Sequence, residues 1–411
     1  MIALDSLKMV ARLALRNVLR QRARTAVTVA AIAFGVAGLM LSGGFIADLF
    51  YQLREATIHS QTGHIQLARR GYFDQGSRSP DEHLIESPAA LTTALRRDAR
   101  VADAMQRLNF TGLLNNGRTD LPVIGQGIEP AREARLGSFL VIAKGRALED
   151  RDQWGAMLGR SLATALNVVP GDRVTLIATT TDGAMNTQEF EIVGLFDSYS
   201  RDYDARAVRI HIDAARELLG SNSANTLVVA LTDTVHTEAV AQSLRSQFGD
   251  RLDLRTWNQL SDFYEKTVLM YDRQFGVLRL IVLFMVLLGV TNSINLSLFE
   301  RVGEFATMRA LGNRATDLYR LLAAEAIFLA LLGAAVGLFV GVTVSLAVSW
   351  IGIPMPPPPN SELGYLARIQ LTPEIVAGAV AVGLVATIVA FVPGAIRAAR
   401  VPVIDGLRQS I

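Results

Sequence analysis

Residues 280–312 read LIVLFMVLLGVTNSINLSLFERVGEFATMRALG. Positions 280–299, between Arg279 and Glu300, are apolar or weakly polar, and about 20 such residues in a helix cross the roughly 30 Å of a bilayer's hydrocarbon. The stretch then changes character. Glu300, Arg301, Glu304 and Arg309 are interleaved with Phe305, Met308 and Leu311, and Gly312 closes the run as a C-terminal glycine closes a helix. The pattern predicts a membrane span followed by a short polar helix. Phe305, Met308 and Leu311 lie on one side, suited to seat in a groove of another protein.

Working outward, the same test finds three further uncharged stretches: 25–47 between Arg24 and Asp48, 326–350 after Glu325, and 375–396 between Glu374 and Arg397. In 411 residues with 50% hydrophobic content and a mean hydropathy of +0.30, the charges are concentrated in 48–274 and at the span ends. The fold class is therefore a membrane α-helical protein with four transmembrane helices and an α+β extracytoplasmic domain inserted between the first two. A cleaved signal peptide is the competing reading of 25–47, but its apolar part would run only about 7–15 residues, and this one continues to Ile46. The lack of cysteine excludes disulfides, thiolate metal sites and a lipidated N-terminal cysteine.

Arg12, Arg16, Arg20, Arg22 and Arg24 precede the first span; Arg301, Arg309, Arg314 and Arg320 lie between the second and third; Arg397, Arg400 and Arg408 follow the fourth. Arginine in short flanking segments resists translocation, which places these three regions, and both termini, in the cytoplasm. The expected division is 1–24 cytoplasmic or interfacial, 25–47 first span, 48–275 extracytoplasmic domain, 276–299 second span and 300–321 cytoplasmic loop. Then come 322–350 third span, 351–373 short outer loop, 374–396 fourth span and 397–411 cytoplasmic tail. In 4–19, Leu4, Leu7, Ala11, Ala14 and Val18 share a face with Lys8, Arg12 and Arg16 displaced around it, as in an interfacial amphipathic helix.

The outer domain mixes helical periodicity near 89–98, 160–168, 213–219 and 237–248 with strand-like runs at Arg173–Ala178, Glu189–Val193, Ala207–Ile212 and Thr226–Leu231. Asp182-Gly183 predicts a tight reversal between the first two strands. A membrane-proximal part, 48–118 and 222–275, and an inserted outer part, 119–221, are expected. Gly125-Gln126-Gly127 lacks the third glycine and following helix of a dinucleotide site, and no phosphate-binding loop occurs. His59, His64 and His83 lie near Asp48, Glu55, Asp81 and Glu82, without zinc-type spacing or a legible Ser/His/Asp order. Neither a catalytic nor a metal site is expected.

Within the spans, Gly333, Gly337 and Gly341 recur every four residues and let another helix approach closely. Thr291, Asn292, Ser293 and Asn295 need partners in the second span, through interhelical hydrogen bonds or along a substrate path.

The segment Glu300–Gly312 resembles the coupling helix of the FtsX/MacB-like (type VII) ABC transporter permeases. Arg16-Asn17-Val18-Leu19-Arg20 with Arg24-Thr25, Glu325 with the glycine row, and Val392-Pro393-Gly394-Ala395-Ile396-Arg397-Ala398-Ala399-Arg400 with Pro402 and Leu407 are similar to the family's other landmarks. So are Lys144-Gly145-Arg146, Leu158-Gly159-Arg160-Ser161-Leu162-Ala163, Gly171-Asp172-Arg173-Val174 and Phe190-Glu191-Ile192-Val193-Gly194 in the outer domain.

The resemblance implies two permease subunits, identical or related, in a bacterial inner membrane, with a cytoplasmic ATPase dimer that carries the ATP and magnesium. This chain would carry no cofactor. Coupling would use Glu300, Glu304, Phe305, Met308, Arg309, Leu311 and Gly312, with Glu304 and Arg309 at the rim of the partner's groove. The look is most similar to the lipoprotein-releasing (LolC/LolE-like) permeases, although the connection at 179–188 is short where the carrier-recruiting member has a long hook. Export of a periplasmic small molecule or peptide through a tripartite-type pump, and regulation of a cell-wall hydrolase, remain alternatives. For a lipid-linked client, Leu39, Leu41, Phe45, Ile46, Phe50, Phe275, Leu278 and Ile281 would line a cavity open to the outer leaflet.

Overall fold

The computed structural model describes residues 10, 12–18, 20, 22–76, 83–136, 140–198, 200–356 and 364–400. Leu4, Leu7, Lys8 and Ala11 of the expected interfacial helix, and the tail with Pro402, Leu407 and Arg408, lie outside these residues; 12–18 are helical, with Ala14 and Val18 buried.

In chain order the helices are α1 (Arg22–Thr57), α2 (Pro88–Leu95), α3 (Pro130–Leu136), α4 (Arg160–Leu166), α5 (Arg201–Asp204), α6 (Ile212–Leu219), α7 (Thr237–Phe248), α8 (Trp257–Leu260), α9 (Asp262–Glu300), α10 (Val302–Ala310), α11 (Ala315–Ile351) and α12 (Pro373–Arg400). The strands of the large sheet are β1 (Ile65–Arg69), β2 (Val101–Asn115), β3 (Asp120–Ile128), β4 (Val141–Gly145), β5 (Gly155–Gly159), β6 (Arg173–Thr179), β7 (Met185–Asp197), β8 (Ala207–His211), β9 (Thr226–Leu231) and β10 (Leu252–Thr256). The chain divides into a helical unit, drawn from 1–50, 269–353 and 366–411, and an α+β unit, drawn from 51–268 and 354–365.

Four helices of the described residues are long and apolar enough to cross a membrane. In the helical unit, α1 is the element the others pack against. A Cβ added at Gly333, Gly337 or Gly341 of α11 would lie within 3 Å of Ile32, Val36 or Met40 of α1, so the glycine row is a seam within one chain. The same approach recurs from the other side, where Gly35 of α1 accommodates Val286 of α9 and Gly383 of α12 accommodates Val36. With no hydrophobic drive between helices in lipid, close backbone approach is what holds such a bundle.

The helix α1 does not stop where its apolar stretch does. It runs to Thr57 and widens into a π-helical turn, Ile58–Thr62, and α9 starts at Asp262 rather than near 276. Asp48, Arg54 and Glu55 end the hydrophobic run but not the helix. Leu53 and Ala56 are buried with Tyr264 of α9 packed on them, and this contact continues the helical path.

The α+β unit is built on a mixed sheet in the order β10-β1-β9-β2-β3-β8-β5-β7-β4, with β6 paired to β2 and β7. The β3–β8 and β5–β7 pairs are parallel and the rest antiparallel. The expected hairpin forms between β6 and β7, turning at Gly183 with φ +82°. Two larger cores lie along the sheet, beside smaller clusters around Phe196 and Met105. One gathers Ile65, Leu67, Leu95, Leu227 and Leu244, and the other Leu108, Phe110, Leu162, Phe190 and Leu218. β2 contributes to both, Val101 and Ala104 to the first and Leu108, Phe110 and Leu114 to the second, and 118 and 119 lie in the turn of the β2–β3 hairpin.

Candidate coupling loop and helix seat

α9 ends at Glu300, and Arg301, with ψ near 10°, breaks the helical path before α10 begins. Arg301 is buried. Its Nε donates to Glu304 Oε2 at 2.9 Å and its Nη1 to Glu325 Oε2 at 2.8 Å, while its guanidinium lies 5.1 Å from the Phe305 ring centre. The other Glu304 oxygen accepts from Arg20 at 2.8 Å, Glu325 Oε1 accepts from Asn17 at 2.7 Å, and Arg24 pairs with Glu300. Burial alone would raise the Glu304 carboxyl; the Arg301 and Arg20 guanidinium groups hold it below the usual value. Gly312, at φ +96°, takes the left-handed position after the helix, and the Asn313 amide reaches the Met308 carbonyl at 3.2 Å. A side chain with a Cβ would be strained there.

This geometry corrects part of the sequence reading. Phe305 is 2% exposed and belongs to the core of the bundle with Leu318 and Leu322, and Met308 packs on that core, so neither stands free to enter a partner's groove. Glu300 and Glu304 are likewise engaged within the chain. Leu311, at 81% exposure, is the apolar side chain the loop presents outward. A nine-residue helix beside a bundle must spend its apolar face on that bundle first, which the spacing of Phe305 and Met308 alone does not reveal.

The expected cavity residues separate too. Ile46 is buried, which leaves it no surface to line an open cavity in this chain, and Leu39 is half-buried with part of its side chain packed on the bundle core. Phe45 meets Phe275 edge-on at 6.4 Å, Tyr271 stacks on Phe275, Leu41 and Phe50 are half-buried, and Leu278 and Ile281 are exposed.

The sequence gives no hint of what holds the far end of α1. In the α+β unit the last carbonyls of the π-helical turn, Ser60 and Gln61, face two buried arginines from distant strands. Arg209 Nη2 donates to Ser60 O at 2.8 Å, and Arg107 Nη1 donates to Gln61 O. Arg107, 2% exposed, also grips both oxygens of Glu133 on α3, and the Gln61 amide reaches Ser198 at 3.2 Å. The negative end of a helix dipole attracts cations, and two guanidinium groups supply the missing donors. Burial would raise Glu133, and the Arg107 guanidinium more than offsets it, holding that carboxyl below its usual value.

Residues 25–247 match the family of MacB-like periplasmic core domains, and residues 276–403 match the FtsX-like permease C-terminal family. The chain belongs to the FtsX/MacB-like ABC transporter permeases. Among curated relatives, this permease is 25% identical over 404 residues to the macrolide export ATP-binding/permease protein MacB of Nitrobacter winogradskyi, covering 94% of this chain and 58% of that one. It is 25% identical over 251 residues to an uncharacterized ABC transporter permease of Methanocaldococcus jannaschii, covering 57% of each. It is 21% identical over 255 residues to the lipoprotein-releasing system transmembrane protein LolC of Xylella fastidiosa, covering 60% of this chain and 62% of that one. The permease thus spans less than two thirds of the length of each of these relatives. The solved periplasmic region of MacB from Actinobacillus actinomycetemcomitans aligns at a TM-score of 0.37 with 16% identity, covering 50% of this chain and 94% of that one.

The permease's buried titratable groups serve its fold. His64 accepts from the Leu231 amide on Nδ1 at 3.2 Å and meets Thr234 Oγ1 on Nε2 at 3.1 Å, and burial pushes it down to about 4. His59 Nδ1 meets the Leu136 carbonyl at 2.9 Å, and Asp48 accepts from the Arg368 amide at 2.9 Å. Among the described residues, no three of His, Cys, Asp and Glu converge as metal ligands. Asp204 is different. Its Oδ2 accepts from the Ser198 amide, its Oδ1 is buried without a hydrogen bond, and burial pushes it up to about 6.

Proposed function

We propose that this permease is the membrane subunit through which a separate cytoplasmic ATPase dimer moves an extracytoplasmic domain, releasing or transporting lipoprotein or lipid-linked substrate. Both termini are cytoplasmic in this reading, as the arginine clusters require. Two permease subunits act together, and ATP and magnesium belong to the ATPase. The observation that carries the reading is the anchoring of α10: Arg301, Glu304, Glu325 and Arg20 tie it to the bundle while Leu311 stands outside it. A loop fixed to its own spans and presenting one apolar side chain transmits a partner's displacement instead of absorbing it.

Leu311→Asp tests this cleanly, because Leu311 contributes nothing to the bundle. A lost apolar anchor at an interface costs about 2 kcal/mol, roughly thirtyfold in affinity. Co-purification of the ATPase and client-stimulated hydrolysis should both fall, with insertion and thermal melting unchanged; wild-type levels of both would remove α10 from the interface. An alkaline-phosphatase fusion at Asp202 should be active and one at Ile411 inactive.

A second reading, export of a periplasmic small molecule or peptide through a tripartite-type pump, is favoured by the reach of the MacB similarity over 94% of the chain. The short turn between β6 and β7, with Met185 exposed beside it, also offers little for a soluble carrier to grip. Photo-crosslinkers at Phe45 and Leu278 test the lipid-linked reading: capture of an acylated partner supports lipoprotein release, and capture of the sister permease alone means that these residues serve ordinary helix packing.

A further inference from the structure

The loop between β4 and β5, the start of β6 and the middle of β7 enclose an open cleft of about 600 Å³ in the α+β unit. Small-molecule sites run from roughly 300 to 1,000 Å³. One wall is the indole of Trp154, 38% exposed, lying 6.0 Å from the ring of Phe190, which is itself buried in the core below. Trp154 is not one of the residues of that core, and it lines the cleft.

Six charged side chains line the opening: Arg146, Arg151 and Arg173 against Asp152, Glu189 and Glu191. Three positive and three negative groups cancel, so the cleft selects neither an anion nor a cation by its field. They are also arranged before any ligand arrives. Arg146 donates to both oxygens of Asp152, which accepts from the Glu149 amide at 2.9 Å as well, and Arg173 lies 3.6 Å from Glu189. The Arg146–Asp152 pair offers a held donor beside a held acceptor, and Arg173 with Glu189 places a second donor and acceptor at the exposed rim. A hydroxyl both donates and accepts, so it bridges such a pair with no change of charge. An apolar ring face complements one side of a pyranose, whose C–H bonds point one way while its hydroxyls spread around the rim.

We infer that this cleft is a binding site for a neutral carbohydrate, with the sugar ring against Trp154 and its hydroxyls on the Arg146–Asp152 and Arg173–Glu189 pairs. The inference is independent of which client the permease serves.

The test uses the full-length chain in lipid nanodiscs, cleared of glycoside detergent. Tetra-N-acetylchitotetraose and maltotetraose are titrated in, with calorimetry and tryptophan fluorescence as readouts; Trp154 is one of three tryptophans, so its replacement leaves a signal. At least one saccharide should bind saturably, with an affinity that does not change between low and high salt. Trp154→Ala should weaken it about tenfold, as loss of an aromatic contact does. Trp154→Phe, which keeps a ring against Phe190, should weaken it less and should melt close to wild type, so that its loss of affinity is not a loss of fold. Failure of both saccharides to bind, wild-type affinity in Trp154→Ala, loss of binding at high salt, or preference for a charged peptide over both sugars would each overturn the inference.

Discussion

At the α10 loop, Arg301 sits between Glu304 and Glu325 while Arg20 reaches Glu304 from an exposed position and the half-buried Arg24 pairs with the neighbouring Glu300; at the end of α1, Arg107 and Arg209 are buried with Glu133 as the ion partner of Arg107. Both arrangements hold a helix end by guanidinium groups. The first is redundant and partly wet, so any one outer charge is replaceable by water. The second has no water to fall back on. Its members are worth little as a set compared with an apolar equivalent, yet each is costly to remove alone.

The largest expected effect follows from that contrast. Arg107→Met should destabilise the α+β unit by about 3–5 kcal/mol, because Glu133 and the Gln61 carbonyl are left buried without their donor. Arg107→Met with Glu133→Leu should recover much of the loss in a thermal melt of the full chain, and failure to recover would mean that the carbonyl dominates over the ion pair. Arg301→Met should cost on the order of 2 kcal/mol. Glu325 keeps only Asn17, and the change should appear as faster hydrogen exchange in 302–311.

A pH scan sharpens the comparison through a group beside the seat. Asp204 has a folded pKa raised to about 6 from 3.8, so its stabilising contribution is present below about 3.8 and is lost as the pH rises through about 6. Asp204→Asn should therefore melt higher than wild type above that window, by on the order of 2 kcal/mol, with the advantage vanishing near pH 4. His64, held down at about 4, runs the other way, and its contribution is lost as the pH falls from 6.5 toward 4. The smallest effect belongs to Arg20→Ala. Its bond to Glu304 is solvent-exposed and should be worth under about 0.5 kcal/mol, within the error of a melting curve.

The two ends also differ in how far the sequence announces them. The four spans are legible because bilayer thickness fixes a length of uncharged chain, and α10 is legible because its charges, its apolar spacing and Gly312 are local. Strand runs such as Thr226–Leu231 and the Asp182-Gly183 turn are local as well, and they appear where expected. What the sequence hides is pairing across distance. Arg107, Glu133 and Arg209 look like surface residues of three separate elements, and only the sheet order brings them to Ser60 and Gln61. Phe305 is misread for a related reason: a helical stripe states which side is apolar, not whether a partner or the chain's own bundle covers it. The continuation of α1 past Asp48 escapes a hydropathy reading because Leu53 and Ala56 are buried against protein, not lipid.

The long strand β2 has a mechanical consequence. Its first half pairs with β9 and gives Val101 and Ala104 to one core, and its second half pairs with β3 and β6 and gives Leu108, Phe110 and Leu114 to the other, so one strand joins the two. A tear that begins on either side must run along this shared rib. The α+β unit should therefore give way in a single step when pulled, with no half-open intermediate in which one core survives the loss of the other.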